Sequence, residues 1–362
     1  MCQTWNTRAH LFAPYLTWLK VAQDFICELP HVKPEKLMTD TATDAAHHSR
    51  LEHYPVTFFA IIMGLSGLAL ALHAAEAAWK VNAIASNIAY GAAMLAFVAV
   101  AFGYLLKAIR HPQAVTAEWN HPVRLAFFPA ISISLLLLGT ASLSRSAPLA
   151  EALWLAGMAL QGVLTIAVVS GWISTRAFQT GHLSPAWFIP AVGNVIVPIA
   201  GAQLGYVEIS WYFMSVGLLF WIVLLTLVMN RLIFHDPLPG RLQPTLVILI
   251  APPAVAFTAW LRLTGEVDAF AHILLNAAYL FTLIVGVQLP RIVKLPFALS
   301  FWALSFPFAA VTISSFLYAG KSGSQAHVVI GSVLLAALLV IIAALIIRTI
   351  RAMAAGEICV PE

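Results

Sequence analysis

The chain divides into ten apolar stretches, each near the roughly 20 residues a helix needs to cross a bilayer, cut apart by short charged or proline- and glycine-rich breaks. They lie at about 55–75, 82–106, 122–142, 149–174, 185–206, 210–232, 244–263, 267–289, 296–319 and 326–348. Only 9% of the 362 residues are charged and 61% are hydrophobic. A soluble domain carries roughly 25% charged residues, so this chain has too few to solvate its outside. The stretches are rich in Leu, Ala and Ile without period-two alternation, which selects helices over a membrane barrel. The expected fold is all-α and integral to a membrane: ten transmembrane helices, paired as five hairpins because the connections are short.

Residues 54–350 form this membrane domain, flanked by an N-terminal tail, 1–53, and a short C-terminal tail, 351–362. The N-terminal tail holds the longest polar stretch of the chain, around Thr39 to His53, and lacks the pattern of a signal peptide. Two readings of it stand: an interfacial helix over Leu11 to Leu29, or a tail that effectively begins at Met38. Cys2, Cys27 and Cys359 lie near the chain ends and offer neither a disulfide framework nor a metal pattern.

Charge placement sets direction. Loops after even spans carry Lys107, Arg110, Arg124, Arg176, Arg231, Arg241, Arg291 and Lys294, and Arg50, Arg348 and Arg351 flank the domain. Loops after odd spans have Lys80, Arg145, Arg262 and Lys321, offset by Glu76, Glu151, Glu208, Glu266 and Asp268. The positive-inside rule puts both termini in the cytoplasm, here of a bacterial-type plasma membrane. The net charge of +4 is explained by these loops. Without aromatic–basic interleaving or zinc spacing, no nucleic-acid partner is expected.

Prolines divide the spans. Each odd span opens with one, Pro55, Pro122, Pro185, Pro244 and Pro296, where the missing N–H costs nothing. Deeper prolines, Pro129, Pro190, Pro198, Pro252, Pro253 and Pro307, all fall in odd spans, and no even span is expected to contain one. Each should kink its helix and free a carbonyl, which a membrane tolerates only beside protein or a water-filled cavity. The odd spans are therefore expected inside and the even spans toward lipid. The odd spans also lack mid-membrane charge, which favours passive conduction over ion-coupled pumping. Thr57, Ser66, Ser132, Ser134, Asn194, Thr258, Ser305 and Ser314 are candidate polar groups for such a path, although hydroxyls and amides at these positions more often serve helix packing.

Three segments carry a family resemblance: FFPAISIS at 127–134, SPAWFIPAVGNVIVPIAG at 184–201 and FALSFWALSFPFAAVTISS at 297–315. They resemble the tellurite-resistance/dicarboxylate transporter family, which includes bacterial TehA, fungal malate permeases and plant slow anion channels, and the likeness runs from about 54 to 350. It implies odd helices lining a central pore, a homotrimer with one pore per subunit, and a phenylalanine of the ninth helix that plugs the pore. The matching position is Phe306. With α-helical spacing, Phe306 shares a face with Leu299, Ala303, Ala310 and Ser314, so a large ring projects among small neighbours. Gly64 and Gly67 stand in the first span where other odd spans have a deep proline, so its share of the pore wall should differ.

Other residues read as structural. Gln161, Asn87 and Asn276 suit hydrogen bonds between helices, and Arg262 and Arg124 suit snorkelling at span ends or, as an alternative, an anion-attracting ring. His272 lacks a ligand-spaced partner, so no metal or cofactor is expected. No nucleophile–base pair or phosphate-cradling loop supports an enzyme. The function expected is conduction of small anions through a pore closed by Phe306; the alternative is a proton-coupled carrier of dicarboxylates such as malate, or of oxyanions such as tellurite or sulfite.

Overall fold

The computed structural model describes residues 50–174 and 178–360; expectations for residues 1–49 and for Arg176 lie outside the described residues. Nine helices among these are long and apolar enough to cross a membrane: Val56–Trp79, Ile84–Arg110, Arg124–Ser142, Ala147–Ser174, Val207–Phe234, Gly240–Thr264, Ala269–Ile292, Leu299–Ser322 and Gln325–Ala354. A shorter apolar run, Pro185–Gly201, occupies the fifth position. No strand occurs among the described residues, so the protein is an all-helical membrane protein.

The odd and even spans are built differently. Each even span is one uninterrupted α-helix. Each odd span opens in the tighter 3-10 form and then widens: Val56–Phe58 in the first, Arg124–Phe127 in the third, Gly240–Ile250 in the seventh and Leu299–Leu304 in the ninth. The fifth alternates twice, with 3-10 turns Pro185–Trp187 and Gly193–Ile196 before the short helices Phe188–Val192 and Val197–Gly201.

The prolines expected to kink their helices lie at these changes of form. Pro129 caps Ala130–Ser142; Pro252 and Pro253 follow Ala251 in Ala251–Thr264; Pro198 and Pro307 stand second and third in Val197–Gly201 and Ser305–Ser322. The prolines thus fall in the first turn of an α segment, where no intrahelical N–H bond is required. They mark a change of helical form. The expected confinement of deep prolines to odd spans is corrected. The eighth span runs to Ile292 and takes in Pro290, in its last turn, where little helix remains for a bend to displace. Left-handed residues end three of the five odd spans: Lys80 after the first, Gly265 after the seventh and Gly323 after the ninth.

Consecutive odd and even spans pack as hairpins, and the odd spans also touch one another, first on third, third on fifth, fifth on seventh, seventh on ninth and ninth on first. In their most apolar stretches the four long odd spans have 61–83% of residues buried, against 22–33% in the five even spans. The expected inner and outer sets are therefore present. Gly64 and Gly67 bring the first span onto the ninth: a Cβ on Gly64 would lie 2.4 Å from Ser305 Oγ, and one on Gly67 would lie 2.8 Å from Ala309 Cβ and 3.3 Å from the Phe306 ring.

A short helix, Pro112–Trp119, was not expected in the second loop. It carries Glu118 into the fold. Glu118 Oε2 receives Lys107 Nζ at 2.8 Å and the Tyr104 hydroxyl at 3.1 Å, and Oε1 receives the Val56 amide at 2.8 Å. Lys107, expected as a free loop charge, is buried in this ion pair.

Candidate functional site

Two cavities are lined by residues from all five odd spans and by none from an even span. The larger encloses about 560 Å³ and the smaller about 40 Å³. In four of the five odd spans residues facing the small cavity precede those facing the large one: Met63 before Ala69, Ile133 before Leu137, Ile196 before Ile199, Ile248 before Thr258. Phe306 and Val255 border both. The small cavity is walled only by apolar groups, among them Met63, Ile133, Phe188, Ile196, Ile248 and Pro252. Such a wall offers water no hydrogen bond, and apolar cavities of this kind stay dry.

The large cavity is different in chemistry. Arg145, Arg262, Lys321 and His73 line it, with Thr140, Thr258 and Gln203, and no carboxylate does. The cations come from the C-terminal ends of the third, seventh and ninth spans. Arg145 is held in place by neutral groups: its Nε donates to Asn87 Oδ1 at 2.9 Å, and its guanidinium lies 4.5 Å from the Tyr90 ring centre. Lys321 Nζ donates to the Gly265 carbonyl at 2.9 Å. Among the described residues none of these three cations forms an ion pair. Carboxylates on the same side are engaged elsewhere: Glu76 with the Ser86 amide at 3.0 Å, Glu151 with the Tyr206 hydroxyl at 2.5 Å, and Asp268 with the Ala271 amide at 2.8 Å.

The expected polar groups mostly lie elsewhere. Ser132 donates to Gln161 at 2.7 Å, Gln161 to the Pro190 carbonyl at 3.1 Å, and Asn194 to Thr165 at 3.0 Å, a buried network joining the third, fourth and fifth spans. Ser314 donates to the Ala254 carbonyl at 2.8 Å between the seventh and ninth spans. Ser134 bonds the Phe59 and Ala130 carbonyls, and Ser305 the Trp302 carbonyl. Of the eight polar candidates, Thr258 alone faces a cavity. Ala310 faces the large cavity beside Phe306 and Pro252 the small one, whereas Ala303, Pro129, Pro190, Pro198, Pro253, Pro307 and Ser314 face neither. Ala303 misses because Leu299–Leu304 is 3-10, which breaks the α-helical face assumed from the sequence. His272 stands edge-on to Tyr318 at 5.6 Å, and His327 lies 4.2 Å from the same ring.

The cationic cavity, the apolar cavity beside it and the proline-marked inner spans belong to an all-helical membrane protein, and comparisons with known proteins point to anions. Residues 53–350 match the voltage-dependent anion channel (SLAC1) family, and the chain belongs to that family. It is 30% identical over 281 residues to the S-type anion channel SLAH2 of Arabidopsis thaliana, covering 75% of this chain and 54% of that protein. The guard cell S-type anion channel SLAC1 of the same plant is 25% identical over 279 residues, 74% of this chain and 50% of its own length. The tellurite resistance protein TehA homolog of Haemophilus influenzae is 27% identical over 263 residues, 72% of this chain and 80% of that one. The chain thus spans about half the length of the plant relatives. Its family is one of anion channels and transporters rather than enzymes.

Proposed function

We propose that this protein is an anion channel whose five odd spans ring a conduction path through a single subunit, closed by Phe306. The carrying observation is that Phe306 borders both the large cationic cavity and the small apolar one, which residues of the odd spans and their loops line. A permeant anion enters the large cavity, attracted by Arg145, Arg262 and Lys321. It then meets the phenyl ring and the apolar wall beyond, where nothing replaces its hydration shell. Conduction requires the ring to move and the throat to wet. In this reading the large cavity opens outside and both termini lie in the cytoplasm, which the positive-inside pattern supports. Assembly as a homotrimer with a path in each subunit belongs to the same reading, and the little-buried even spans supply apolar surface for subunits and lipid.

No acidic residue lines either cavity, which favours a channel over a proton-coupled dicarboxylate carrier. Purified protein in liposomes separates the two. A channel passes chloride in proportion to membrane potential and independently of a pH gradient. Saturable flux that needs the pH gradient contradicts the proposal.

A further inference from the structure

We infer that the large cavity is a binding site for divalent anions, which it holds more tightly than monovalent ones and does not pass. The binding half stands on the cavity itself; the blocking half rests on the conduction reading above.

Three cations from separate spans share one cavity of about 560 Å³ without a carboxylate on its wall. That volume exceeds what a single small monovalent anion fills. Arg262 and Lys321 arrive from the ends of neighbouring spans, and Arg145, from a third span, is fixed by Asn87 and Tyr90. An anion in the cavity meets positive charge contributed by three separate spans. His73, Thr140, Gln203 and Thr258 add neutral hydrogen-bonding groups to the same wall.

The valence preference follows from how two energies scale. Attraction to a fixed set of cations grows in proportion to the charge of the anion. The cost of stripping water from an ion on entering an apolar region grows with the square of its charge. Doubling the charge therefore doubles the attraction in the cavity and quadruples the penalty at the throat. The throat offers no compensation, since Met63, Ile133, Val195, Ile196, Ile248 and Phe306 present only hydrocarbon. A divalent anion is drawn in and stops, with Phe306 beneath it, occupying the route a monovalent anion uses.

Sulfate is the probe, with perchlorate as the monovalent control, both at constant ionic strength because screening weakens all such attraction. In detergent, the purified protein is expected to gain thermal stability at sulfate concentrations about tenfold below those at which perchlorate acts. The double variant Arg262→Gln, Lys321→Gln is expected to lose most of that difference; both side chains are solvent-exposed, so the fold should tolerate the change. In voltage-clamped membranes, sulfate added on the side of the large cavity should reduce chloride current and carry little itself, and sulfate added on the other side should not. Equal stabilisation by sulfate and perchlorate, or a sulfate response untouched by the double variant, overturns the binding claim even for a protein that carries no current. A sulfate current as large as the chloride current overturns the claim of block.

Discussion

At the scale of single residues, the first and ninth spans meet where neither can give. Gly67 has the Ala309 methyl and the Phe306 ring where its own side chain would stand. Alanine there is expected to cost about 1–3 kcal/mol through overpacking and to shift the ring, changing chloride current as well as thermal stability. Gly91, on the second span, meets nothing within 4 Å; Gly91→Ala should leave stability unchanged or raise it by up to about 1 kcal/mol. A matched loss at both positions in thermal unfolding would contradict the contact. Phe306 was singled out by a local motif, and the two glycines were legible as exceptions to the proline pattern. What they touch was not, because it depends on a partner more than 200 residues away in the chain.

At the scale of elements, ten apolar runs were read with their ends close to those observed, because a membrane demands a nearly uniform length of hydrocarbon. The internal form of the odd spans was not legible. A proline inside an apolar run has the same letters whether it bends an α-helix or begins one after a 3-10 segment. The helix Pro112–Trp119 was missed for a related reason. Its anchor is a buried ion pair between Glu118 and Lys107, and pairing between elements leaves no periodic trace. Glu118→Ala leaves the Lys107 ammonium buried without its carboxylate, and the expected loss is about 3–5 kcal/mol. Adding Lys107→Met to that variant should recover much of the stability. No recovery in thermal unfolding would show that the helix is anchored by its other contacts.

At the scale of the whole molecule, the cations of the odd-span loops are the exceptions to a positive-inside chain. Three of the four face one cavity, which sequence order hides because they belong to separate hairpins. Arg262 was read as a span-end residue with an anion-attracting role as the alternative, and the cavity it shares with Arg145 and Lys321 supports that role. The fold assigns different work to its parts. Even spans cover the outside, odd spans supply two cavities, and Phe306 borders both the charged one and the apolar one. The central claim is that this ring closes the path. The most direct measurement is chloride current through Phe306→Ala, normalised to folded protein at the membrane. The account predicts a rise of about tenfold or more, the change given by a barrier lower by roughly 1.4 kcal/mol. A well-folded variant with the current of the parent protein would contradict it.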